Sequence, residues 1–191
     1  MLKGQDLVVA LKLAVSHEPT TYAGLALSLS LNASEVHTAV KRALHAQLLV
    51  NTGNFIVPKN SKLGNIDVHK QNLLEFVTHG AKYVFAADRI SVTVGVPTSH
   101  SAPIFQGVFA PGSDDWVWPY ALGSCKGVGI KPIHPCVPSA ALADSQLYAA
   151  LALLDALRVG RARERNMALP MLEALILRNV NMTRAKELVH G

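Results

Sequence analysis

Apolar positions in the first sixty residues recur at helical spacing. Leu7, Val8, Leu11, Ala14 and Val15 fall at i, i+1, i+4, i+7 and i+8, which predicts a helix over residues 5–16 with one apolar face. The residue before Pro19 is pushed away from helical angles, so this helix should stop near His17. Thr20 or Thr21 can cap a second helix from Tyr22 to Leu29. After Ser30-Leu31-Asn32-Ala33, Ser34 or Asn32 can cap a third helix through Gln47. Its apolar stripe is Val36, Ala39, Val40 and Leu44, opposite Glu35, His37, Thr38, Lys41 and Arg42. Leu48-Leu49-Val50 and Phe55-Ile56-Val57 flank a polar turn at Asn51–Asn54, the pattern of a hairpin over 48–57.

Beyond a polar connector at Lys59–Asn65, Ile66–Thr78 reads as a fourth helix ended at Gly80. Then the texture changes. Eight of the ten prolines lie between Pro58 and Pro138, and Ile90–Val96 is β-prone, so 81–138 is expected to be β-rich and irregular. Helices return over 139–188: one capped by Ser139 and running through Leu157, and one covering at least Met167–Arg178. The fold class expected is α+β, with a boundary between 1–62 and a dimerisation or sensor region at 63–191.

Charge changes the picture next. The net charge is +5 with a pI near 9.4, which favours polyanion partners. It is concentrated at two places. Residues 1–62 carry six Lys and Arg against three acids, and Arg158, Arg161, Arg163 and Arg165 are interrupted only by Glu164. The second island reads either as a phosphate or partner contact, or as a solvated helical face paired to Glu164 or Asp155.

Chemistry elsewhere is sparse. Cys125 and Cys136 make no disulfide framework and have no CxxC or HxxxH companion, so neither a metal site nor a catalytic site is expected, and no cofactor. Gly123–Gly129 has neither the spacing nor the Lys-Ser/Thr ending of a phosphate loop. The Trp116, Trp118 and Tyr120 cluster reads as the core of a β-rich unit or as the wall of an effector pocket. No apolar run reaches the roughly 18 residues of a membrane helix, and a cytoplasmic protein is expected.

The order helix, helix, turn, helix, hairpin, with Leu25–Leu44 at its centre, resembles the winged helix-turn-helix domain of bacterial MarR-like regulators over residues 3–58. Ser30 stands in the turn where many such proteins have Gly. The remainder, including Phe76–Phe85 and Gly160–Arg165, resembles uncharacterised regulators carrying such a wing. The resemblance implies a transcriptional regulator, a dimeric repressor that binds double-stranded DNA and answers to a small-molecule or protein effector. The polar residues of the recognition helix and the hairpin would touch DNA: Ser34, Glu35, His37, Thr38, Lys41 and Arg42, with Asn51, Asn54 and Lys59. The alternative is an antitoxin-like or assembly subunit that uses the same module to dock a protein.

Overall fold

A computed structural model describes residues 1–16, 21–52, 63–109 and 115–189, with side chains in the last helix up to Leu177. The chain is α+β. Helix α1 (Gly4–Val15) begins with the Asp6 carboxylate accepting from the Lys3 amide at 2.8 Å and stops at Ser16. Helix α2 (Tyr22–Ser28) is capped by Thr21, whose hydroxyl accepts from the Gly24 amide at 3.0 Å. Helix α3 (Ala33–His45) takes Asn32 as its cap, and Glu35 Oε2 accepts from the Asn32 amide at 2.8 Å. Ser34 is therefore not the cap. It lies one residue inside the first turn and is exposed.

The ends of α2 and α3 are built alike. Ser30 and Gln47 adopt left-handed φ values of 53° and 57°. Beyond them, Leu31 donates to the Ala26 carbonyl and Leu48 to the Ala43 carbonyl, each at 2.9 Å. This paired-carbonyl closure usually takes Gly at the left-handed position. Here two side-chain residues are held there, so the chain reverses after α2 and after α3 without a glycine.

Strand β1 (Leu49–Asn51) begins where the expected hairpin begins, but its partner is β2 (Ile66–Val68), paired antiparallel with Leu49 opposite Val68. The Phe55-Ile56-Val57 arm falls outside the described residues. The expected fourth helix is corrected accordingly: residues 66–68 are strand, and α4 (Lys70–Glu75) starts at a cap made by His69 Nδ1. Nor does Gly80 end it. A π turn over Phe76–Gly80 carries the axis into α5 (Ala81–Val84).

Strands β3 (Arg89–Pro97), β4 (Trp116–Pro119) and β5 (Cys125–Ile130) then close on one another. β3 runs antiparallel to both others, while β4 and β5 are parallel. Such tight closure leaves no room for side chains where strands cross: a Cβ on Gly95 would stand 2.1 Å from the Trp118 carbonyl oxygen.

The single long helix expected from Ser139 is two. Helix α6 (Val137–Ala143) ends before Asp144, which caps α7 (Ser145–Val159) by accepting from the Gln146 and Leu147 amides. Helix α8 (Ala162–Val189) carries Pro170 inside it and turns Ala168, Leu172 and Ile176 inward. The apolar excess on α7 suggests a surface for a second copy, but the structure accounts for it otherwise. Of the five residues that predict it, Leu147, Leu151 and Leu154 are wholly buried within this chain, where α7 packs on α1, α5, α6 and α8, Tyr148 is half-buried, and Leu142 of α6 is 56% exposed. α1 is equally enclosed: Leu7 to Leu11 are all at 0% exposure. At about 1.5–3 kcal/mol for each large apolar side chain fully buried, these two helices are the main apolar store of the fold. One core takes in α1, α3, α7 and α8, so the regions on either side of residue 62 share their interior.

Candidate nucleic-acid interface

α3 separates its faces by burial. Val36, Ala39, Val40 and Ala43 are buried against α1 and α2. On the opposite side Ser34, Thr38, Lys41 and His45 are exposed at i, i+4, i+7 and i+11, one continuous stripe along the helix. Thr38 Oγ1 donates to the Ser34 carbonyl at 2.8 Å, which fixes its rotamer along the stripe. Lys41 stands in the middle, and His45 closes the C-terminal end.

The other nominated residues are placed differently. Glu35 is half-buried and committed to the Asn32 amide, so it orders the start of α3. His37 is half-buried against Tyr22 of α2, ring centroids 5.1 Å apart at 57°. Burial in turn pushes the Tyr22 hydroxyl above its ordinary pKa. Arg42 is turned inward. Its Nε and Nη2 donate to the two Asp6 oxygens at 2.8 and 2.6 Å, and Asp6 is fully buried. That paired bond outweighs partial burial and holds the guanidinium above its ordinary pKa. Arg42 thus clamps α3 to α1, with the Nε–Nη2 edge of its guanidinium taken up by Asp6. Asn51 is exposed at the end of β1, while Asn54 and Lys59 lie outside the described residues.

The Arg158–Arg165 island divides as well. Arg158 is a core residue, its side chain 2% exposed, bound to Asp155 and donating to the Phe85 carbonyl at 2.7 Å. Asp155 also accepts from Trp118 Nε1 at 2.6 Å and Thr98 Oγ1 at 2.9 Å. Each charge has several partners, the condition under which a buried pair is tolerated. Arg158 is therefore no phosphate or partner contact. Arg161, Arg163 and Arg165 are exposed at the N-terminal end of α8.

The thiols are placed for packing. Burial drives Cys136 up to about 12 and raises Cys125 too, so neither is a thiolate near neutral pH. His134 Nδ1 accepts from the Cys136 amide at 3.3 Å, and burial pulls its pKa down despite Glu35 and Asp6 nearby. Among the described residues no three His, Cys, Asp or Glu side chains gather to hold a metal ion, and no helix is long and apolar enough to cross a membrane. Trp118 is core, with its indole N–H on Asp155, so that part of the aromatic cluster is interior.

Sequence reasoning missed three features. One is Asp6, which lies off the apolar stripe of Leu7, Val8, Leu11, Ala14 and Val15 and is nonetheless fully buried. Another is Tyr22, which shields His37. The third is Arg89, whose guanidinium lies 4.7 Å from the centre of the Trp116 ring. Compared with known proteins, the chain matches no family model, no curated protein and no solved structure.

Proposed function

We propose that this chain is a sequence-specific, DNA-binding transcriptional regulator of winged helix-turn-helix type, acting in the cytoplasm as a dimeric repressor. The observation that carries the reading is the exposed stripe Ser34, Thr38, Lys41 and His45, set on a helix whose other side is sealed into the core. A helix seated this firmly can bring a polar face into a major groove without losing packing. The β1–β2 pair follows directly after α3, where a wing would stand beside the groove. Lys41 would meet a phosphate, Ser34 and Thr38 would face base edges, and Asn51 would lie against the backbone. The work in this reading is binding.

The test is fluorescence anisotropy with the DNA upstream of the protein's own gene and with a scrambled duplex, at two salt concentrations. Regulator behaviour is tight binding that prefers the upstream DNA and weakens with salt by about one log–log unit per phosphate contact. Salt-insensitive, equally weak binding to both duplexes overturns the reading.

A second reading, an antitoxin-like or assembly subunit, draws on the outer side of β3. There Ile90, Val92 and Val94 are 40%, 59% and 46% exposed, an uncommon run of large apolar groups in contact with water. Under that reading the binding that matters is to a protein, and the duplex assay fails.

A further inference from the structure

Two of the arginines the core does not use lie over a row of rings. Arg89 stacks on Trp116, with its guanidinium carbon 4.7 Å from the ring centre, and Arg163 on Phe109 at 5.5 Å. Both rings meet the edge of His100, with centroids 6.3 and 6.1 Å away. The row is held from beneath by the turn Ser99–Ser101. Ser99 is fully buried in a left-handed conformation (φ 52°), and Ser101 Oγ accepts from the Trp116 amide at 2.9 Å.

One acid of this region faces the other way. Glu164 is only 16% exposed, with Oε1 3.6 Å from His100 Nδ1 and Oε2 accepting from the Arg161 amide at 2.8 Å. Arg89, Arg161, Arg163 and Arg165 are all exposed, and none has a carboxylate partner among the described residues. The fold turns Glu164 inward and the arginines outward; exposed Asp115 accepts from Ser101 Oγ at 3.4 Å, and exposed Asp88 lies 3.9 Å from Lys131.

We infer that Arg89, Arg161, Arg163 and Arg165 form a second phosphate-binding surface, which takes the backbone of a nucleic acid. This rests on the DNA-binding reading above and enlarges its footprint. Stacking on a ring holds a guanidinium flat while leaving its in-plane N–H groups free for phosphate oxygens. An acidic protein is the poorer fit. Trp116 is 9% exposed and both rings carry a guanidinium, so neither ring is free to serve as the aromatic anchor that protein interfaces are built around.

The experiment measures duplex binding against salt for the full chain, for Lys41→Ala, and for the triple variants Arg161→Ala/Arg163→Ala/Arg165→Ala and Arg161→Lys/Arg163→Lys/Arg165→Lys, with poly-L-glutamate as a second titrant. The expected result is a log–log slope lowered by about two to three units in the Ala triple variant and by about one in Lys41→Ala. The Lys triple variant should keep the wild-type slope, and preference for the upstream DNA should survive in the Ala triple variant. Arg89→Ala should lower the slope by about one. If Lys41→Ala lowers the slope and the Ala triple variant does not, the second surface is refuted and the regulator reading stands. Loss of binding in the Lys and Ala triple variants alike would mean a structural role, and would refute it too. Poly-L-glutamate binding that vanishes in the Ala triple variant while duplex binding persists assigns the surface to acidic proteins. A wild-type chain that binds no duplex overturns both proposals.

Discussion

Arg42 and Asp6 join α3 to α1 through two parallel hydrogen bonds, at 2.8 and 2.6 Å, with the carboxylate fully buried and the guanidinium side chain 21% exposed. The asymmetry of exposure decides which partner is harder to lose. Removing Arg42 leaves a buried carboxylate with only the Lys3 amide, whereas removing Asp6 leaves a guanidinium that reaches water. Arg42→Met should therefore destabilise by about 2–3 kcal/mol, and more than Asp6→Ala, in urea unfolding. If the regulator reading is right, folded Arg42→Met keeps the wild-type salt slope. A slope reduced by one unit would show that Arg42 touches a phosphate after all.

The stripe on α3 carries a second prediction. Lys41→Ala should weaken binding evenly across sequences, while Thr38→Ala should relax the preference at one base position. His37→Ala should act mainly through lost packing on Tyr22, so its effect should appear in thermal stability as well as in base preference. Competition against a panel of single-base variants separates these outcomes.

Ser30 and Gln47 hold left-handed angles that cost an ordinary residue about 1 kcal/mol or more, and glycine much less. Ser30→Gly should stabilise the chain by roughly 0.5–1 kcal/mol, after the greater freedom of glycine in the unfolded chain is offset. A lower urea midpoint in Ser30→Gly would show that the Ser30 side chain contributes something the backbone geometry does not reveal.

The pH dependence follows from half-buried His134 and buried Cys136. His134 has its pKa lowered by burial, so the unfolded chain binds a proton more readily. Stability from this residue is present above the ordinary histidine range, near pH 6.5, and is lost as pH falls through it. Cys136 is raised to about 12, so the unfolded thiol ionises first. Stability from it is present near neutrality and declines once pH exceeds about 8.5. Urea midpoints across this range should show both losses, the acid one smaller in His134→Gln and the alkaline one smaller in Cys136→Ala.

Much of the fold was legible because its signals were local. The ends of α1, α2 and α3 follow from Pro19, Thr21 and the spacing of Val36, Ala39 and Val40. What failed was decided at a distance. Ile66–Val68 looks helical in isolation, but β1 needs a partner and takes those three residues. Asp144 splits a continuous apolar run because its carboxylate caps α7 and binds Lys12 of α1, neighbours that a pattern does not show. Burial raises that carboxyl, yet Lys12 and the α7 amides hold it below its ordinary pKa. The candidate site divided the same way. Periodicity placed Thr38 and Lys41 outside and Val36 inside, but Arg42 also looked free until Asp6 accounted for it. Arg158 looked like one more surface arginine until Asp155, Thr98 and Trp118 were seen around it.

The enclosure of α1 has a consequence for how the protein is made. Leu7 to Leu11 leave the ribosome before α7 and α8, which supply part of their cover and whose inward residues begin at Leu147. At about 5–20 residues per second, α1 waits on the order of ten to thirty seconds for these partners. During that interval the nascent chain is as sticky as it will ever be, and a chaperone or slow elongation would matter most between those two points.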